Sequence, residues 1–231
     1  AYLKGPDGRH YYLYTIIDVY SRYVVGWMIA NREAAELAEK LIAEACAKQG
    51  IEHDQLILHA DRGSAMRSKT VAQLLIDLGV AKSHSRPHTP TDNPYSEAQF
   101  TPALAGGARE TMKYRPDYPK RFEGIRAARA WARDFVQWYN NEHHHSGLGL
   151  MTPATVHYGR VETVCEQRQK VLEAAYVAHP ERFVRGQPTP LRPSEEVWIN
   201  QPKSEHETGH LPGPAASDTE PGAQAGSRGS L

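Results

Sequence analysis

The sequence predicts an α/β fold, a mixed sheet with helices on its faces. Three observations lead there. HYYLYTIID at 10–18 and RYVVGWMIA at 22–30 are rich in aromatic and β-branched residues, and only Val19, Tyr20 and Ser21 separate them. That is the signature of an antiparallel hairpin. Two helical patterns then alternate with two further short apolar runs. The composition also suits one domain with a sizeable core plus appendages: 231 residues, 40% hydrophobic and 23% charged.

The elements follow in order. AYLKG, 1–5, reads as the end of a first strand that turns at GPDG, 5–8. After the hairpin, residues 33–49 place Leu37, Leu41, Ile42, Ala45 and Cys46 at helical spacing, and Gly50 is the stop. Leu56 to Ala60 read as a buried strand. Residues 68–78 form a shorter helix, with Val71, Leu74, Leu75 and Leu78 on one face and Gly79 beyond. VAKSHS, 80–85, is a short strand. RPHTPTDN, 86–93, is a loop; it ends in Asn93 as helix cap and Pro94 as first helical residue, so a helix starts there with Glu97 in its first turn. Residues 125–142 are helical, with Trp131, Phe135, Trp138 and Tyr139 on one core-facing stripe. Thr152-Pro153 opens a short helix, and residues 161–178 form another with Val164, Val171, Leu172 and Ala175. Beyond Lys203 little can be buried, and disorder is expected. The chain divides into a core, 1–160, a helix with a proline-rich extension, 161–202, and a tail, 203–231.

Several function classes drop out. Cys46 and Cys165 are the only cysteines and each lies in a helical pattern, which argues against a disulfide framework. No C-x-x-C, H-E-x-x-H or phosphate-cradling glycine loop occurs. There is neither a signal peptide nor an apolar run of membrane-spanning length, so a reducing, cytosolic setting without a membrane partner is expected. His143, His144 and His145 are consecutive, and three consecutive histidines cannot all face one ion. The net charge is zero, from 27 basic and 27 acidic side chains, so charge distribution must decide whether a polyanion is bound. Residues 109–133 hold eight Lys/Arg against three acids, whereas 31–60 is acidic. The basic stretch reads either as a DNA-facing edge or as a solvated helix face.

The candidate chemistry lies in two carboxylates. Asp61 ends an apolar strand and precedes Arg62-Gly63-Ser64; alone it reads as a turn residue. Glu97 stands in a helix's first turn with 35 residues between the two, a placement that lets both converge at the sheet's edge. Paired carboxylates offering only oxygen suit Mg²⁺, which fills its octahedron with water and substrate phosphate. Two-metal phosphoryl chemistry normally needs at least three carboxylates.

DRGS at 61–64, TDNPYSEAQF at 91–100 and the spacing between them resemble the catalytic cores of insertion-sequence transposases of the retroviral-integrase type, the DDE recombinases. So do DVYSRYVVGW at 18–27, SHSRP at 83–87, MKYRPDYP at 112–119 and YNNEHHHSGLGLMTP at 139–153. The resemblance spans residues 1–200 approximately. It implies a ribonuclease H-like fold, a five-stranded mixed sheet flanked by helices, with the first strand truncated here. It implies Asp61 and Glu97 as catalytic, metal-binding residues, two Mg²⁺ or Mn²⁺ ions in an intact member, and DNA ends and target DNA as partners, bound as a homo-oligomer in the bacterial cytosol at the nucleoid. Arg62, Lys82, Arg86, Lys113 and Arg115 lie near these blocks and are expected to contact DNA phosphate.

Two departures stand out. In the family the first catalytic Asp lies in a block just before the turn that corresponds to GPDG, and this sequence starts at Ala1, inside or after that block. Asp18 belongs to the hairpin block and reads as a turn residue, not as a substitute ligand. After Phe100, TPALAGGARE at 101–110 replaces the family's continuous helix; Pro102 and Gly106-Gly107 are expected to break it. The leading expectation is therefore a DNA-cutting and strand-joining catalytic domain, impaired in this copy. The competing expectations are a non-catalytic DNA-binding or dimerising remnant, and a standalone ribonuclease H-like nuclease.

Overall fold

A computed structural model describes residues 2–60, 66, 68–84, 112 and 115–199. Strand β1 is Tyr2–Lys4, followed by a 3-10 turn at Pro6–Gly8. β2 is His10–Ile17 and β3 is Val24–Ala30. Helix α1 is Ala35–Gln49, β4 Ile57–Ala60, α2 Lys69–Asp77 and β5 Ala81–His84. The remaining helices are α3, Ile125–Asn141, α4, Pro153–His157, and α5, Val161–Ala178. The fold is mixed α/β, as the element order predicts.

The described strands form two sheets, not one of five strands. β1, β2 and β3 are antiparallel in that order, and β4 pairs with β5 in parallel. β1 contributes three residues, all spent on pairing with β2.

Residues alternate across β2 with the period of a strand. Tyr11 and Leu13 pack with Leu3, Val24, Ile29 and the α3 residues Ala128, Phe135 and Tyr139. Tyr14 and Ile16 instead pack with Ala38, Ile42 and Cys46 of α1 and Val71 and Leu75 of α2. Helices thus cover both faces of the antiparallel sheet. Gly26 makes the α1 contact possible: a Cβ there would stand 3.3 Å from Ala45 Cβ and 3.3 Å from Leu41 Cδ1. A third, smaller cluster joins Leu148, Met151, Val156 and Cys165.

Three expectations need correction. The second hairpin strand starts at Val24 instead of residue 22, because Arg22 adopts φ 64°, a left-handed turn conformation. The strand at 56–60 is only partly buried: Leu56 and Leu58 face the α1–α2 cluster, while Ile57 on the other face is 69% exposed. Helix α5 buries only Cys165 fully, and Val171 is exposed. The stop and start signals behave as read. Gly50 caps α1 with φ 63°, Ser68 Oγ accepts from the Val71 N–H at the start of α2, and Thr152 accepts from the Thr155 N–H at the start of α4. The expected break at 101–110 and the tail beyond Lys203 lie outside the described residues.

Candidate functional site

Asp61 is the residue that follows Ala60, the last residue of β4. Parallel pairing sets Ala60 beside His84, the last residue of β5, so both strands end at one edge. In the sequence Asp61 follows the end of β4 directly, and Glu97 follows the end of β5 after twelve residues. Asp61, Glu97, Arg62, Arg86 and Lys113 lie outside the described residues.

Side chains brace this edge from inside. His59 Nδ1 lies 2.7 Å from Ser83 Oγ, directly across the register His59↔Ser83. Lys82, beside Leu58, donates from Nζ to the Met66 carbonyl. Lys82 therefore ties β5 to Met66, five residues after Asp61 in the sequence. Arg115 sits elsewhere: its guanidinium stacks 4.1 Å from the centre of the Trp138 ring on α3, and its Nε donates to Asp117 Oδ1 at 2.8 Å. That bond holds the Asp117 carboxyl below its usual range. Of the candidate cations, the two described ones thus serve different elements.

A second polar cluster joins residues far apart in sequence. Asp18 closes the hairpin turn, its N–H donating to the Tyr23 carbonyl at 2.9 Å and its Oδ1 accepting from the Tyr20 N–H at 3.1 Å. The buried Ser21 hydroxyl donates to Asp18 Oδ2. His157, the last residue of α4, places Nδ1 3.0 Å from Asp18 Oδ2 and 3.2 Å from Ser21 Oγ, and Nε2 3.0 Å from Gln49 Oε1 at the end of α1. Its ring stacks on Tyr23 with centroids 4.4 Å apart. Burial works against the Asp18 charge, but the hydrogen bonds from Ser21, His157 and the Tyr20 N–H outweigh it, and the carboxyl titrates below its ordinary range. Burial and the neighbouring Tyr158 push the Tyr23 phenol up to about 12. This cluster fastens the hairpin, α1 and α4 together. Ser21 is fully buried, so it offers no nucleophile to a substrate.

The DVYSR block contained the Asp18–Ser21 pair, but nothing local announced His157 or Gln49. The histidine tract is likewise packed rather than converging on one point. The His143 ring stacks 5.7 Å from Tyr139, His145 meets His143 edge-on at 4.3 Å, and His144 is exposed. Burial pushes His145 down to about 3, which keeps it neutral. No group of three or more His, Cys, Asp or Glu side chains that could hold a metal occurs among the described residues. No described helix is long and apolar enough to cross a membrane.

Two family models, both described as integrase core domain, match residues 2–90 and 78–153. The transposase for insertion sequence element IS904 of Lactococcus lactis is 32% identical over 156 residues, 66% of this chain and 56% of that protein. The putative transposase InsK for IS150 of Escherichia coli is 24% identical over 64% of this chain and 48% of its own length. The chain thus spans about half the length of the curated relatives it matches. Among solved structures, the catalytic core domain of BIV integrase aligns with 71% of this chain and 93% of its own, at 16% identity and a TM-score of 0.41.

Proposed function

The chain belongs to the integrase core domain family of insertion-sequence transposases, and from that premise we propose that it is a catalytic domain for cutting and joining DNA strands, with Asp61 and Glu97 as two of its metal-binding carboxylates. The observation that carries this reading is the parallel register Ala60↔His84. β4 and β5 end side by side at Ala60 and His84, and in the sequence Asp61 follows the first directly and Glu97 follows the second after twelve residues. A second element of the proposal is that the two sheets belong to one ribonuclease H-like sheet of five strands. Residues 1–160 are its catalytic core, and 161–202 an appended helix and extension.

An oxygen-only donor set of two carboxylates fits Mg²⁺ or Mn²⁺. When bound, such ions stabilise the attacking and leaving oxygens of an in-line displacement at phosphorus. The protein's own share is positional. In this reading Asp61 and Glu97 supply the carboxylates, and Lys82 ties β5 to Met66, five residues after Asp61 in the sequence. Arg62 and Arg86 follow closely in the sequence on the ends of β4 and β5 and, with Lys113, orient DNA through its phosphates, whereas Arg115 is engaged by Trp138 and Asp117. DNA ends and target DNA are the proposed substrates, bound by a homo-oligomer at the nucleoid of the bacterial cytosol.

The test is strand transfer with Mg²⁺ or Mn²⁺ on DNA that carries the element's ends. Joining should fall to background in Asp61→Asn and in Glu97→Gln, with DNA binding retained. Joining that survives either substitution contradicts the assignment. DNA binding without joining under either metal favours a non-catalytic remnant.

A further inference from the structure

The exposed face of α3 carries a row of cations with little to neutralise it. Helical spacing sets Ala128, Ala132, Phe135 and Tyr139 in the core, and all four are buried. Arg126, Ala130, Arg133 and Gln137 occupy the opposite side and are exposed. Lys120 and Arg121, also exposed, lie just ahead of the helix. Asp134 is the only acid among the 17 residues of α3, and exposed Glu123 is the one acid between Lys120 and the helix, against the four cations Lys120, Arg121, Arg126 and Arg133. None of the ion pairs found among the described residues uses Lys120, Arg121, Arg126 or Arg133. Arg129 is different: it donates two N–H bonds to the Ile29 carbonyl, at 3.1 and 2.8 Å, and so fixes the helix to β3. The face is therefore rigidly mounted.

Helix α1, on the opposite side of the sheet, makes a useful contrast. Its exposed charges alternate in sign, with Glu36, Lys40, Glu44 and Lys48, and Lys40 pairs with Glu44 at 3.7 Å. A merely solvated helix face looks like α1. The α3 face does not.

We infer that the α3 face, with Lys120 and Arg121, is a second docking surface for the backbone of duplex DNA, separate from the strand edge that bears Asp61. The inference rests on the DNA-processing reading above but concerns binding alone. Arg126 and Arg133 are two helical turns apart, about 10 Å at 1.5 Å per residue. Projected on the duplex axis, that equals the rise of about three nucleotides of one strand at 3.4 Å each. Exposed Ala127 and Ala130 beside them keep the surface low, so a backbone can approach closely. Contacts of this kind position DNA and carry no sequence information.

The test is fluorescence anisotropy of the chain with a 30-bp duplex of arbitrary sequence, from low to moderate salt. The variant K120Q/R121Q/R126Q/R133Q is compared with a control set of exposed cations elsewhere, R32Q/K40Q/K48Q/K170Q. Each phosphate contact contributes about 0.9 to the slope of log affinity against log salt. The α3 variant should lose about 3 from that slope and bind at least tenfold more weakly at low salt, with the control close to wild type. The pair K120Q/R121Q, which leaves the helix untouched, should lose about half as much. Equal losses in the α3 and control sets would overturn the inference, as would an absence of duplex binding at low salt. An unchanged slope together with a shift from dimer to monomer in sedimentation would also overturn it, and would assign the face to a protein partner. Strand transfer that fails while the slopes behave as stated would count against the proposed function alone.

Discussion

The two sheets are braced very differently. Among the described residues the seven-residue β3 is an edge strand beside the eight-residue β2, and α3 closes its open side with side chains. Asn140, 4% exposed, accepts from the Val24 N–H at 2.9 Å and donates to the Val24 carbonyl at 3.1 Å, as a neighbouring strand would. Arg129 takes the Ile29 carbonyl in the same way. The β4–β5 pair has four residues per strand, a side-chain bridge between His59 and Ser83, the tie from Lys82 to the Met66 carbonyl, and an exposed Ile57 on β4. Closing an edge removes a template for unwanted pairing and stiffens the scaffold. The residues proposed for chemistry adjoin the lightly braced pair, in keeping with the tendency of working segments to come from the low-stability end of a fold.

Substitutions that strike the braced region should do the most damage. Phe135 is buried and stacks on Trp131 at 5.4 Å, so Phe135→Ala should cost about 3–5 kcal/mol in urea denaturation. Asn140→Ala leaves both polar groups of Val24 buried without their partner and should cost about 2–3 kcal/mol. If either costs no more than an exposed substitution, the contrast between the sheets collapses.

Two pH experiments sharpen the comparison. His145 is depressed to about 3 by burial, while the unfolded chain protonates it near its ordinary value of 6.5. The unfolded state therefore binds the extra proton first, and stability present above 6.5 is lost as pH falls toward the folded value. Between pH 6.5 and 5 the wild type should lose about 2 kcal/mol relative to His145→Phe, from 1.36 kcal/mol per unit. Asp18 has its folded value below the ordinary 3.8, so its contribution is present at neutral pH and disappears as the carboxyl protonates on the acid side. Asp18→Asn should cost about 1–2 kcal/mol at pH 7 and almost nothing well below pH 3.8, measured by thermal melts across pH. The smallest effect is expected at the light edge. Ser83→Ala removes the bridge to His59 and should cost under about 1 kcal/mol globally. It should nonetheless speed amide exchange in β4 and β5 while leaving β2 and β3 unchanged.

Much of this was legible where the physics is local. The helix of residues 161–178 has the expected bounds, and Ser68, Gly50 and Thr152 cap the helices as their side chains and φ angles demand. What was not legible depends on partners far along the chain. Ile57 sits in an apolar run that reads as buried, but alternation turns it to the face opposite the α1–α2 cluster. His157 meets Asp18 and Ser21 across 139 and 136 residues, a pairing no local pattern encodes. Arg22 reads as a strand residue because its neighbours are strand formers, whereas the turn holds it in a left-handed backbone conformation. The pairing of Asp61 with Glu97 came from spacing and from the integrase-like blocks around them, not from periodicity.

That pairing is the central claim, and a double-mutant cycle on Mn²⁺ affinity tests it most directly. Calorimetry would compare the chain with Asp61→Asn, Glu97→Gln and the double variant. If the two carboxylates share one site, each single substitution weakens Mn²⁺ binding at least tenfold, and the second adds much less than it does alone. Strictly additive losses, or no loss in either single variant, would contradict the claim that Asp61 and Glu97 hold the same metal.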